Sequence, residues 1–146
     1  MIVKEGNSIL TKPCEFLTVL NYREQVNTFL RKSIPHREGS VGIAANQVGM
    51  SAMIFSMKIG KTWKTFINPT IDKLYGDKIT HVEACLSIPG LDYAIERNTK
   101  VDIGFYDYNF KKHNKTYESL KAIVIQHEVD HLNGYLISMK GIRYIG

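Results

Sequence analysis

The stretch Gln126-His127-Glu128-Val129-Asp130-His131-Leu132-Asn133-Gly134 decides how this chain is organised. Because an α-helix turns once in about 3.6 residues, His127 and His131 stand on one helical face, one turn apart. Two neutral imidazoles so placed can hold one metal ion, with Glu128 beside it as a base. The same face continues upstream as an apolar stripe of Leu120, Ile123 and Val124. Two histidines on a helix can also be ordinary core residues, but polar groups on a buried face are costly unless something binds them.

A catalytic metal commonly has three protein ligands and one open position, so a third ligand is needed. In zinc proteases it lies downstream, but the 15 residues after His131 contain no His, Cys, Asp or Glu, which argues against a protease. Upstream, Cys85 is the best candidate, since a thiolate with two imidazoles suits zinc, iron(II), cobalt or nickel. A buried inert thiol is the alternative for Cys85 and the expectation for Cys14. The alternative ligands are His81, the nearest to Cys85, and then His36 and His113.

Length and composition indicate an ordinary globular protein. The 146 residues suit one domain, 1–146, with a single core. The chain is 44% apolar and 23% charged, and no apolar run approaches the ~18 residues that span a bilayer. The N-terminus lacks the apolar segment of a secretory signal, and two cysteines do not suggest a disulfide framework, so we expect a reducing compartment. The net charge of +5 is scattered over lysines without an aromatic-basic motif, which indicates solubility rather than RNA binding.

The apolar periodicity predicts helices near both ends and strands between them. Residues 14–32 predict a first helix with Pro13 in its first turn, and Tyr117–Leu132 predicts a second that ends at Asn133-Gly134. Predicted strands are 53–55, 63–67, 71–82 with a turn at 76–77, 93–95, 101–108 and 135–137, and 83–90 is predicted as a strand or extended segment that runs into a turn. A polar turn is predicted over 109–115. This order predicts an α+β fold, with antiparallel β-sheets packed around a central metal-binding α-helix.

Three segments together resemble the peptide deformylase family, whose members remove the formyl group from N-terminal formylmethionine. The family motifs are Gly-x-Gly-x-Ala-Ala-x-Gln, Glu-Gly-Cys-Leu-Ser and His-Glu-x-Asp-His. The matching segments occur here in the same order, as Ser40-Val41-Gly42-Ile43-Ala44-Ala45-Asn46-Gln47, Glu83-Ala84-Cys85-Leu86-Ser87 and His127-Glu128-Val129-Asp130-His131. Ser40 and Ala84 replace motif glycines. We expect these small residues to be tolerated unless the backbone there requires a positive φ.

The resemblance implies a metal-dependent hydrolase in which a metal-bound water attacks the formyl carbon. It implies one divalent ion, iron(II) first, with zinc, nickel or cobalt as alternatives, on the ligands Cys85, His127 and His131. Glu128 would take the proton of the water and later pass it to the leaving amine. Gln47 and the backbone N–H of Leu86 would donate hydrogen bonds to the developing oxyanion.

The resemblance also implies substrate-binding and supporting residues. Gly42 and the Gly90 region would pair with the extended backbone of the peptide substrate. The methionine pocket would be lined by Ile43, His81, Leu120, Ile123 and Val124, with His127 at its floor. Glu83 would pair with Arg97 to brace the site, and Asp130 would support the metal-binding helix.

The implied partners are nascent N-formylmethionyl peptides, and no membrane. Many family members continue into a C-terminal helix that serves ribosome docking in some of them; without it we expect ribosome contact to be weak. We expect a monomer in the cytoplasm, either of a bacterium or of a host cell for a viral protein, with an organelle matrix as the alternative.

Overall fold

The computed structural model describes residues 1–146, and its framework is a six-stranded antiparallel sheet in which β1 to β5 lie in sequence order and β6 pairs with β4. The strands are β1 (Gly42–Ala44), β2 (Ile54–Ile59), β3 (Thr62–Cys85), β4 (Ile88–Tyr106), β5 (Lys112–Glu118) and β6 (Ile142–Tyr144). The α-helices are α1 (Tyr22–Ser33), α2 (Ser119–Leu132) and α3 (Ile137–Lys140). The expected α+β class and the antiparallel sheet are therefore confirmed.

Strands β3 and β4 form one long hairpin whose tip carries Cys85. Cys85 pairs with Ile88, so that only two residues make the turn. The sequence predicts several separate strands in these two regions, and this is wrong. Each region forms one continuous strand, because the hydrogen bonds between β3 and β4 extend through the polar stretches of both. The predicted turn at Gly76-Asp77 is a register shift within the hairpin, and Gly76 has the positive φ of +77° that such an irregularity uses.

Helix α2 packs against the sheet with the face opposite its histidines. Ala122, Ile125, Val129 and Leu132 lie in a cluster with the aromatic side chains Phe55, Phe66 and Phe105 of the sheet. Because residues 3 and 4 apart share a face, the other side of α2 turns Ile123 and His127 away from this cluster. The helix ends where Gly134 takes a φ of +87°, as the sequence predicted for Asn133-Gly134.

Helix α1 is shorter than predicted: residues 14–21 are not helical, and Pro13 lies well before the helix begins at Tyr22. Their backbone makes tertiary hydrogen bonds instead, from Cys14 N–H to the Leu132 carbonyl at 2.8 Å and from Leu17 N–H to the Asn68 side chain at 2.7 Å. Helical spacing in this segment was misleading, since Leu20 is 95% exposed.

Two short predictions near the C-terminus are also wrong. The polar turn covers only residues 107–111, and Lys112–Glu118 is strand β5, because its backbone pairs with β4. Residues 135–137 form no strand: α3 begins at Ile137, and the last strand is β6, which pairs with residues 92–94. No helix has both the length and the apolar character needed to cross a bilayer.

Candidate metal centre and active site

Three side chains from two elements meet beneath the hairpin tip. Cys85 comes from the end of β3, and His127 and His131 come from successive turns of α2; their ligand atoms all lie within 4.8 Å of one another. The Cys85 sulfur is 3.2 Å from Nε2 of His131, and the two imidazole rings are 5.0 Å apart. One soft thiolate and two imidazoles form a donor set that suits a divalent metal, which confirms the predicted convergence of these residues.

A carboxylate fixes the orientation of one of these imidazoles. Nδ1 of His127 lies 2.8 Å from Glu83 Oε1, which leaves Nε2 free for a metal. Arg97 donates two hydrogen bonds to Glu83, at 2.8 and 2.9 Å, and a third to Asp130 at 2.6 Å. Lys140 donates to the second oxygen of Asp130. The predicted Glu83–Arg97 pair is thus present, and Arg97 ties β3 to helix α2.

Burial and charge set the protonation of this network. Burial would raise the pKa of Glu83, but hydrogen bonds from Arg97 and His127 and their charges outweigh it and lower it to about 2. Burial lowers the pKa of His131 well below its usual value, which keeps the ring neutral, as a metal ligand must be. Burial also lowers the pKa of His127, but hydrogen bonds with Cys85 and Glu83 raise it to about 10, so metal binding must release this proton.

Glu128 is almost completely buried, and its Oε1 has no hydrogen-bond partner. Burial raises the pKa of this carboxyl to about 7, in the range where a side chain can both take and return a proton at neutral pH. Gly42 lies directly against it: a Cβ added to Gly42 would stand 2.5 Å from Glu128 Oε2. Gly42 has no positive φ, so the position needs the space of a glycine rather than its conformational freedom.

Hydrogen bonds hold the side-chain amide group of Gln47 beside the metal ligands. Strand β1 leads into a short 3₁₀ turn, Ala45–Val48, and the Gln47 side-chain oxygen accepts a hydrogen bond from Ala44 N–H at 3.0 Å. Its Nε2 lies 3.2 Å from Ser87 Oγ and 3.5 Å from the Cys85 sulfur. The backbone N–H of Leu86, at the hairpin turn, has no partner within the protein. The free N–H of Leu86 and the amide of Gln47, which donates to Ser87 and Cys85, therefore lie side by side at Cys85.

A cavity of about 590 Å³ opens onto Cys85, His127 and Glu128. Its volume is within the range of small-ligand sites. The predicted residues Gly42, Gln47, Leu86 and Gly90 line it, as do Leu120, Ile123 and Val124 from α2. The predicted place of Ile43 in the cavity wall is wrong, because Ile43 is completely buried in the cluster that packs against α1. Val41, which precedes β1, lines the cavity instead.

The remaining predicted alternatives have other surroundings. His81 lines the cavity but does not belong to the ligand group. His113 lies 2.8 Å from Asp107, and His36 is in a 3₁₀ turn that follows α1. Cys14 is a buried thiol, and its burial raises its pKa to about 11, as expected of an inert cysteine. Neither Ser40 nor Ala84 has a positive φ, so the residues that replace the motif glycines fit the backbone without strain.

Sequence reasoning missed several cavity residues. Lys4 reaches the cavity from the N-terminal segment, and its Nζ lies 3.5 Å from the Leu86 carbonyl; nothing in its sequence context indicates this. Val41 and Val82 also line the cavity although each is about half exposed. The supporting Ser87 is completely buried, and its sequence signal was its place at the end of the segment Glu83–Ser87 that resembles a family motif.

Comparisons with known proteins agree with this geometry. The family model described as polypeptide deformylase matches residues 1–143. A peptide deformylase of Karelsulcia muelleri is 34% identical over 142 residues, which cover 92% of this chain and 74% of the relative. The crystal structure of a peptide deformylase from Thermotoga maritima has a TM-score of 0.86 at 30% identity and covers 96% of this chain and 95% of that one. A Met-Ala-Ser-bound peptide deformylase from Acinetobacter baumannii has a TM-score of 0.83 at 25% identity, with 96% of each chain covered.

Proposed function

We propose that Glu128 and the ligands Cys85, His127 and His131 carry out the reaction of the peptide deformylase family, to which this chain belongs. Members of this family are metal-dependent hydrolases that remove the formyl group from N-terminal formylmethionine peptides. The observation that carries the proposal is the position of Glu128. This buried carboxyl lies beside the three ligands Cys85, His127 and His131 and lines the same cavity.

Cys85, His127 and His131 would hold one divalent metal, which we propose is iron(II) in the native protein, with zinc, nickel or cobalt as substitutes. The thiolate is a soft donor and the imidazoles are borderline, so the set accepts all four. When bound, the metal supplies Lewis acidity that makes a water molecule nucleophilic at neutral pH. Glu83 would keep His127 in the orientation that presents Nε2, and Arg97 and Asp130 would hold Glu83 and the helix in place.

Glu128 would act as the proton carrier of the reaction. A carboxyl with a pKa of about 7 can take a proton from the attacking water and return it to the amine that leaves. Gln47 Nε2 and the Leu86 N–H would donate hydrogen bonds to the oxygen of the formyl group as negative charge develops on it. Both donors are fixed before substrate binds, Gln47 by Ala44 and Ser87, and Leu86 by the two-residue hairpin turn.

The peptide substrate would bind as an extended strand between Gly42 and Gly90. Gly90 has a φ of +80°, and a Cβ there would meet no other atom within 4 Å, so the backbone at this position is open to a ligand. The first side chain would enter the part of the cavity lined by Leu120, Ile123 and Val124, with His127 at its floor. Burial of a linear apolar side chain there stabilises the complex by about 25 cal/mol per Å².

We further propose that residues 1–146 act as one catalytic domain. The two ends support this, because Val3 N–H bonds to the Gln47 carbonyl at 2.7 Å and β6 pairs with β4. Its partners would be nascent N-formylmethionyl peptides, with weak contact to the ribosome, and it would act as a monomer in the cytoplasm or in an organelle matrix.

Formate release from formyl-Met-Ala-Ser tests the proposal. The protein would be purified without oxygen, because iron–thiolate sites oxidise readily, and assayed as isolated and after loading with iron(II) or nickel. We expect turnover that a chelator abolishes and that added metal restores. Competition adds a control: unformylated Met-Ala-Ser should compete far less well than the formylated peptide. No formate under any metal, with metal bound, would refute the proposal.

A further inference from the structure

His81 is a polar side chain of the cavity to which the metal centre assigns no role. Side chains alternate along a strand, so His81, Glu83 and Cys85 point to the same face of β3. Cys85 is a proposed metal ligand and Glu83 orients His127. His81 lies two residues farther along the strand, and its Cα is about 7 Å from the Cα of Glu83. His81 lines the cavity together with Ile123 and Leu120 of helix α2.

In the proposed binding mode, the first side chain of the peptide would enter the cavity between helix α2 and strand β3, where His81 lies. Helix α2 leads away from the metal centre through His127, then Ile123 and Val124, then Leu120, while β3 does the same through Glu83 and then His81. These walls are apolar on the helical side and polar at His81 on the strand side. A side chain that enters between these walls would meet the His81 imidazole on the strand side.

The hydrogen-bonding groups of His81 are not satisfied within the protein. Nδ1 is buried, has no hydrogen-bond partner and lies 3.5 Å from Glu83 Oε2, beyond normal hydrogen-bond distance. The ring makes no other hydrogen bond, and its side chain is 34% exposed, so Nε2 is the accessible nitrogen. An apolar ligand that covers this ring leaves Nε2 unpaired, which costs binding free energy, whereas a polar ligand group can pair with it.

We propose that His81 is a specificity-determining residue that pairs with a polar group at the far end of the first side chain, so that this protein accepts formyl peptides beginning with oxidised methionine or with glutamine as well as with methionine. This inference rests on the proposed function. Glutamine has the length of methionine and ends in an amide that both donates and accepts. Methionine sulfoxide, which oxidation produces from methionine, ends in a polar acceptor oxygen.

The test compares His81→Leu with the wild type on four peptides that differ only in the first residue. Formyl-Xaa-Ala-Ser would carry methionine, norleucine, glutamine or methionine sulfoxide, and formate release would give kcat/KM for each. Ratios to the norleucine peptide cancel differences in metal loading between preparations. His81→Gln keeps a hydrogen-bonding side chain at the position, and His36→Leu removes a histidine outside the cavity as a matched control.

We expect His81→Leu to lower the kcat/KM of at least one polar peptide relative to norleucine by about tenfold, the effect of one lost hydrogen bond. His81→Gln should retain most of the wild-type ratio, and His36→Leu should retain all of it. Ratios that stay within about twofold of wild type in His81→Leu would overturn the inference. Absence of formate from the methionine peptide in the wild type would instead refute the proposed function, so the two failures are distinguishable.

Discussion

Gly42→Ala tests the close approach between strand β1 and the proposed proton carrier. The added Cβ would lie 2.5 Å from Glu128 Oε2, whereas ordinary contact begins at 3.4 Å, so the carboxylate must move by about 0.9 Å. Displacement of a catalytic group by about 1 Å costs about a hundredfold in rate, or about 2.7 kcal/mol in the activation barrier. We expect kcat/KM for formyl-Met-Ala-Ser to fall by this factor while the bound metal and the melting temperature change little.

A double-mutant cycle shows whether this loss acts through Glu128. Formate release would be measured for Gly42→Ala, Glu128→Gln and the double variant, each with its metal content determined. If Gly42→Ala acts by displacing the carboxylate, it should cost little more once Glu128→Gln has removed the proton carrier. A full hundredfold loss in both backgrounds, or no loss in the single variant, would refute the reasoning.

Three further variants test the network and the core. The pKa of Glu83, about 2, lies below its ordinary 4.5. Glu83 should therefore contribute about 3 kcal/mol to the free energy of unfolding above pH 4.5, and this contribution is lost as the pH falls towards 2. Urea unfolding of chelator-treated protein should show this loss for the wild type but not for Glu83→Gln. Asn68 has a φ of +49° and exchanges two hydrogen bonds with Leu17, so Asn68→Ala should lower the free energy of unfolding by about 2–3 kcal/mol, and equal stability of both proteins would contradict this. Phe66→Ala should cost about 3–5 kcal/mol in the same assay, because Phe66 is completely buried between two aromatic rings; a loss below about 1 kcal/mol would contradict this.

The central helix and its ligands could be predicted because their signals are local. The spacing of His127 and His131 is a property of one helix, and the glycine at 134 marks its end. Ligand chemistry made Cys85 the best upstream candidate and left His81, His36 and His113 as alternatives, and the resemblance to the family motif selected Cys85. The α+β class followed from the order of apolar patterns along the chain.

The long hairpin and the segment before α1 could not be predicted, because distant partners determine them. Strand β3 continues through polar residues because β4 supplies its hydrogen bonds, and no local pattern shows that. Residues 14–21 have helical spacing, but Asn68 and the Leu132 carbonyl bind their backbone. The same limit applies to Ile43, since a three-residue strand is too short to show which face of it is buried.

Formate release by Glu128→Gln, with its metal measured in the same preparation, tests the central claim most directly. The glutamine keeps the size and shape of the side chain and one acceptor oxygen but cannot take a proton, so the metal on Cys85, His127 and His131 should remain bound. We expect wild-type metal content with turnover of formyl-Met-Ala-Ser reduced by at least a hundredfold, within the range for loss of a general base. A variant that binds metal and still releases formate at the wild-type rate would contradict the account.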